Sequence, residues 1–540
     1  MNLATRKQSF VQGAALLAAT VAVVKVLGAV YKIPLYNILG DEGTSYFGTA
    51  YNIYSLLLTL STAGLPVAMS RLVAAADARG RTLQIKRTFR VALAAFTVLG
   101  AVGTAIMMLF SEQLASALNN AEVAPSILAL GPAVLLVCVM SAYRGYTQGL
   151  SDMISTSVSQ VIEVVCKLAF GLTLAALLIK KGYGLPLASA GAILGVTIGE
   201  LIALVYSWIY KVRYDKKFTA PSASPDVPDS RGRILLDLVR IGVPIALGSS
   251  VLSVLAVVDS KLIMERLQHA LDYSYLDSKI LYGAFTKVQT LFNLPSAFTV
   301  PLTISAIPAI SAFLAKKEPL RARGVAEGAV KLTALVGMPA AVGMSVLAAP
   351  IMAVLYPDTH EAGIEVLRWL GPSGFFVCLM LTTNAVLQAY GYERMPIYTI
   401  LVGAAIKVAG NWVLLSVPSL GITGAAIASL ACYFAVSALN MVIIAVKVKD
   451  RPRMLRQLVK PLVCSLIMGA AALGSYLLLE RLFGASGGRL ITCVCMAAAI
   501  IVAVIVYAAL IIVLRVITAD DLEIMPKGKK LARLFRIKDK

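Results

Sequence analysis

Lys25, Lys167 and Lys407 stand near the middle of long apolar stretches, Lys287 lies in the outer half of another, and Lys32 and Arg144 stand closer to the ends of theirs. An ionisable side chain inside an apolar span is expensive, so it must face a water-filled cavity or a partner. Several cations gathered on such a cavity suit a multiply charged anion such as a diphosphate, because charge-assisted bonds to phosphate oxygens are strong. Lys25 and Lys32 are seven residues apart, which puts them on one helix face separated by roughly 10 Å.

The carboxylates within reach of such a site are Glu163, Glu200 and Asp259. Glu163 precedes Lys167 by four residues, the favourable order for a helical ion pair, so Lys167 is either neutralised locally or turned to a cavity. Glu200 offers a buried partner to any of the lysines. Arg144, Lys261 and Lys32 are close enough to span ends to snorkel toward water. No phosphate-binding loop, nucleophile elbow or paired-carboxylate pattern occurs, and Cys493-Val494-Cys495 lacks the context of a metal site. The expectation is a protein that is not an enzyme and carries no metal and no cofactor.

The elements that must position these residues follow from composition. With 59% hydrophobic residues, 14% charged residues and a mean hydropathy of +0.82, no soluble core would hide the apolar surface. Apolar stretches long enough to cross roughly 30 Å of hydrocarbon recur along the chain. They lie near 10–38, 47–72, 88–110, 125–150, 155–179, 187–211, 234–262, 280–313, 326–356, 364–391, 395–417, 421–446, 459–480 and 490–515, about fourteen spans in all. The first is too long for a secretory signal, holds Lys25 and Lys32, and lacks a small-residue cleavage pattern, so it is expected to remain in the chain.

Charge sets the orientation. With the N-terminus inside, about 35 of the 49 Lys and Arg residues fall on the cytoplasmic side and about seven outside. Both termini are therefore expected in the cytoplasm, in a multi-pass protein of the cell membrane. The net charge of +21 is spread over short loops, which argues for topology and against nucleic acid as a partner. In the tail, Lys529, Lys530, Arg533, Arg536 and Lys538 alternate with Leu531, Leu534, Phe535 and Ile537. That pattern suits either an amphipathic helix on anionic membrane lipids or a solvated basic tail.

The chain also carries an internal duplication. A shift of 235 overlays Gly48 on Gly283, Leu56 on Leu291, Pro66 on Pro301 and Ser70 on Ser305; a shift of 240 overlays Gln148 on Gln388, Lys167 on Lys407 and Leu174 on Leu414. Each copy holds six spans, an even number, so the copies share one orientation and are related by an axis along the membrane normal. The expected organisation is a six-helix lobe over 1–212, a cytoplasmic linker over 213–233 rich in Pro221, Pro225 and Pro228, a second six-helix lobe over 234–450, two further helices over 451–518, and a basic tail over 519–540. Pro66, Pro295, Pro301 and Pro308 lie within spans, where they either hinge a helix or simply kink it.

The run Lys25-Val-Leu-Gly28-Ala-Val-Tyr31-Lys32-Ile-Pro34, then Tyr51-Asn52, Gly64-Leu65-Pro66, Ser70-Arg71 and Arg144-Gly145-Tyr146-Thr147-Gln148-Gly149, resembles the stage V sporulation protein B group of polysaccharide exporters. That group is related to the MurJ-type lipid II flippases within the multidrug/oligosaccharidyl-lipid/polysaccharide exporter superfamily. The resemblance implies an all-α polytopic membrane protein with two six-helix lobes in a V-shaped arrangement plus two C-terminal helices, an alternating-access cycle, and a polyprenyl-diphosphate-linked sugar as substrate. Cell-wall or polysaccharide biosynthesis, cell shape and sporulation are the processes it points to, with cell-wall synthesis proteins as partners. Lys25 matches, as a lysine, the first of the essential arginines of MurJ-type proteins. Tyr31 stands where another arginine is expected, the second and eighth spans also lack theirs, and Lys287 lies about a turn from the latter. Arginine and lysine are not interchangeable at a bidentate diphosphate site.

Two readings of function remain open at this level. A flippase for a lipid-linked anion would place Lys25, Lys32, Lys167, Lys287, Lys407 and Arg144 in its cavity. A multidrug cation exporter of the same fold, driven by protons or sodium, would instead rely on Glu163, Glu200 and Asp259.

Overall fold

The computed structural model describes residues 10–218, 226–449, 451–483 and 488–516. All of the 519–540 tail, and Pro221 and Pro225 of the linker, lie outside them. The regular structure of the described residues is entirely helical. In chain order the helices are α1 (Phe10–Thr59), α2 (Leu65–Asp77), α3 (Thr82–Leu109), α4 (Ser111–Ala117), α5 (Ala124–Gly149), α6 (Ile154–Cys166), α7 (Leu172–Lys180), α8 (Leu185–Phe218) and α9 (Arg231–Ala270). There follow α10 (Tyr275–Phe292), α11 (Leu294–Ala315), α12 (Pro319–Val346), α13 (Ala348–Leu355), α14 (Ala362–Ala389), α15 (Met395–Leu414), α16 (Thr423–Lys447), α17 (Met454–Phe483) and α18 (Gly488–Val513).

Thirteen helical stretches among the described residues are long and apolar enough to cross a membrane. One of them, Leu16–Asp77, runs for 62 residues, on the order of 90 Å at helical rise and far more than one crossing needs. It contains most of the 10–38 span and all of the 47–72 span. The chain turns between them at Gly40, whose φ of 66° and ψ of −171° are not helical; only glycine adopts such a backbone without strain. Sequence reading found the two spans but not that helix continues on both sides of a single-residue bend.

The described chain divides into two compact units, Met1–Thr286 and Lys287–Lys540. In the first, α5 lies between α3 and α8, and α6, α7 and α1 close around α8. Helix α9 packs on α1, α2 and α3. In the second, α14 lies between α12 and α16, α15 packs on α16, and α17 joins α12 to α18. The starts of α14, α15 and α16 follow those of α5, α6 and α8 by 238, 241 and 238 residues, so the duplication seen as scattered identities reappears as repeated helix order and neighbours.

Two π-turns interrupt the first unit, Leu60–Gly64 between α1 and α2 and Lys167–Gly171 between α6 and α7. A π-turn adds one residue to the helical turn and often marks a functional position. The second one is held by close backbone approach: a Cβ on Gly195 of α8 would lie 2.3 Å from the Gly171 nitrogen. Two facing glycines thus let α8 press against the widened turn that carries Lys167.

Candidate functional site

In the first unit the polar residues of five segments meet inside the bundle. Lys167, on the π-turn, is buried, with its ammonium 3.7 Å from Glu163 Oε1 and 5.7 Å from the centre of the Tyr51 ring. The ion pair anticipated from the four-residue spacing is therefore formed, and the same lysine also faces an aromatic ring of α1. Lys32 shares that ring, at 4.9 Å from its centre. Cations gain from the negative face of an aromatic ring, the more so where water is scarce.

Arg144 does not snorkel. Its side chain is buried, Nε donates to Ser159 Oγ at 2.9 Å, and Nη2 lies 3.5 Å from Glu163 Oε2. That Nη2 makes no hydrogen bond among the described residues. Glu163 is thus shared between two cations, while Glu200 on α8 is differently placed. Glu200 is fully buried, accepts a hydrogen bond from the Tyr54 hydroxyl at 2.6 Å through Oε1, and leaves Oε2 without a hydrogen-bond partner among the described residues.

Sequence reasoning missed the aromatic half of this site. Phe47 stacks on Tyr51 with ring centres 5.6 Å apart, and Tyr51 lies 5.7 Å from Tyr54. Their spacing of four and three residues puts them on one helical face, a signal that was present in the sequence. Tyr31 lies beneath them, its hydroxyl donating to Ala192 O on α8 at 3.3 Å. The position that an arginine was expected to occupy thus serves as a buried tie between helices.

The other candidates fall elsewhere. Lys25 is half-buried on α1, and Asp259 is buried on α9. In the second unit Lys287 is buried, donates to Thr359 Oγ1 at 2.8 Å and lies 5.5 Å from the Tyr356 ring centre. Lys407, also buried, faces the Tyr433 ring at 5.9 Å. The two residues equated by the repeat, Lys167 and Lys407, are thus both buried cations set against a tyrosine.

A second charged cluster was not foreseen. Lys279 of α10 is buried and donates to Glu42 at 2.8 Å, to Glu122 at 2.6 Å and to the Tyr46 hydroxyl at 2.7 Å. Beside it Gly283 touches the chain near Gly40, since a Cβ there would lie 1.8 Å from the Asp41 carbonyl oxygen. In the segment ahead of α9, Asp226 reaches the start of α3, where its Oδ2 accepts from the Gln84 amide at 2.8 Å and its Oδ1 from Arg81 Nε at 3.1 Å. Burial pushes the Asp226 carboxyl up, but the Gln84 amide, the Arg81 guanidinium and the Leu83 amide outweigh it and hold it below the usual carboxylate range.

A bundle of membrane-length helices with cations and aromatic rings in its interior defines a membrane transporter or flippase. Comparison with known proteins agrees. The chain belongs to the polysaccharide biosynthesis protein family, which matches residues 10–314, and the MatE family matches residues 273–413; both lie within the multidrug/oligosaccharidyl-lipid/polysaccharide exporter superfamily. It is 28% identical to stage V sporulation protein B of Bacillus subtilis (strain 168), over 96% of this chain and 98% of that one. It is 25% identical to the lipid II flippase MurJ of the same organism, over 72% and 74% of the two chains. Among solved structures, lipid II flippase MurJ in an inward closed conformation has the same fold, with a TM-score of 0.65 at 14% identity over 92% of this chain and 98% of that one.

Proposed function

We propose that this protein moves a polyprenyl-diphosphate-linked sugar, such as lipid II, from the inner to the outer leaflet of the cell membrane, for cell-wall or polysaccharide synthesis. The observation that carries the reading is the gathering of Lys32, Lys167 and Arg144 inside the first unit, with an Arg144 Nη2 that makes no hydrogen bond among the described residues. Guanidinium and ammonium groups that are buried yet short of acceptors suit the oxygens of a diphosphate. The relatives' names support a lipid-linked substrate. The two six-helix repeats, 1–212 and 234–450, serve as the lobes of an alternating-access cycle, with both termini and the 213–233 linker in the cytoplasm. Lys25, Lys287 and Lys407 add to recognition of the anionic head, while the polyprenyl tail stays in lipid.

Export of cationic drugs is the competing reading, and Glu163 speaks against it. That carboxylate already faces two cations, so it has little attraction left for a third. The test is rescue of cells depleted of their lipid II flippase. The chain should restore growth, and Lys167→Ala and Lys407→Ala should fail to do so at equal membrane abundance. Rescue by both variants at the wild-type rate, together with efflux of ethidium, would refute the lipid reading.

A further inference from the structure

Glu200 is the one member of the buried cluster that the binding reading leaves unexplained. Both cations within ion-pair distance of a carboxylate in this cluster, Arg144 at 3.5 Å and Lys167 at 3.7 Å, are engaged with Glu163. Glu200, with no exposed surface, has the Tyr54 hydroxyl on one oxygen and no hydrogen-bond partner on the other among the described residues. An ionised carboxylate so enclosed and half-satisfied is costly, and taking up a proton on the orphaned oxygen removes the charge.

The groups that face it come from every helix around α8. From α1 comes Tyr54, next to Tyr51, whose ring Lys32 and Lys167 share; from α5, Arg144; from α6, Glu163, with Cys166 beside Gly199; and from the π-turn, Lys167. Helix α7 carries no ionisable side chain before Lys180 at its end. With both carboxylates ionised, three cations keep a single net positive charge among them. Protonating Glu200 leaves two, on the same groups that would hold a diphosphate.

We propose that Glu200 is a proton-binding site linked to the anion site, taking up a proton on Oε2 as a diphosphate head settles among Lys32, Lys167 and Arg144 and returning it to water when the head leaves. This rests on the reading of those cations as the headgroup site. By linkage, a ligand bound more tightly by the protonated protein draws a proton in, and its affinity falls as the pH rises. The substrate class is thereby narrowed to an anion whose transfer senses pH.

The experiment is calorimetric titration of the full chain in lipid nanodiscs with farnesyl diphosphate, in buffers of different ionisation enthalpy over a range of pH. Because the ligand's own phosphates titrate, the quantity read is the difference between wild type and Glu200→Gln. The wild type should take up close to one proton more than Glu200→Gln, and its affinity should fall by about tenfold per pH unit relative to that variant where the proton is exchanged. Should Glu200→Gln not accumulate, Tyr54→Phe, which strips the hydrogen bond from Oε1, should shift the pH at which wild-type affinity falls. Equal proton uptake by wild type and Glu200→Gln, or an unchanged pH profile in Tyr54→Phe, would overturn the proton site and leave the headgroup site standing. Failure of the wild type to bind farnesyl diphosphate at any pH would overturn both.

Discussion

Replacing Asp226 by alanine removes the cap of a helix that lies 142 residues away in sequence. Helix α3 has no capping side chain of its own at Arg81, and the Gln84 amide instead donates to Asp226 Oδ2 at 2.8 Å. The Asp226 side chain has no exposed surface, so no water replaces it without rearrangement. A capping side chain contributes roughly 0.5–2 kcal/mol, and a hydrogen bond to a charged group about 1.5–3 kcal/mol. Taking about 2 kcal/mol for the local unit, opening of the first turn of α3 should become about thirtyfold easier. Hydrogen–deuterium exchange of the Gln84 amide reads this directly, and it should speed up by that factor in Asp226→Ala while amides in the middle of α3 keep their wild-type rates. The sign with pH follows from the depressed carboxyl. A group whose folded value lies below its unfolded value, about 3.9 for aspartate, contributes fully above the unfolded value and loses its contribution as the pH falls through the folded one. The difference between Asp226→Ala and wild type should therefore persist from neutral pH down to about 4 and fade only in stronger acid. An exchange rate at Gln84 within twofold of wild type at neutral pH would refute the argument.

A single cysteine in a cysteine-free background should label from outside the cell at the partly exposed Thr359, rather than at the buried Asp41, and should not label at Ser222; outside labelling at Ser222 would reverse the orientation. Gly195→Val presses a side chain into the Gly171 backbone, an overpacking that costs typically 1–3 kcal/mol. It should lower the melting temperature and, by shifting the turn that carries Lys167, weaken farnesyl diphosphate binding, whereas a drop in melting temperature with unchanged binding would separate that turn from the site. Lys279→Met leaves Glu42 and Glu122 without their shared cation, and it should increase the accessibility of a cysteine placed at Thr49 to an aqueous thiol reagent. Equal reaction rates with and without Lys279 would show that the cluster does not hold that end of the bundle shut.

Much of this was legible in residue order. The bilayer as solvent, the number of spans and the cations within them follow from hydropathy, which is a sum over neighbours in the chain and needs no tertiary information. The Glu163–Lys167 pair was legible for a similar reason, since four residues on a helix always meet on one face. The duplication was visible because order along the chain is preserved even when few identities remain. What only the tertiary structure decided is which distant residues share a place. Arg144 and Lys167 fall on the same carboxylate, Tyr54 reaches Glu200 across 146 residues, and Asp226 caps a helix from beyond three further spans. Such contacts depend on how helices rotate and press together, and that in turn depended on details no local pattern reveals, among them a bend at Gly40 and a π-turn at Lys167 that only a facing glycine admits. Hydropathy specifies that a charge must be hidden; helix packing specifies from what, and beside which partner.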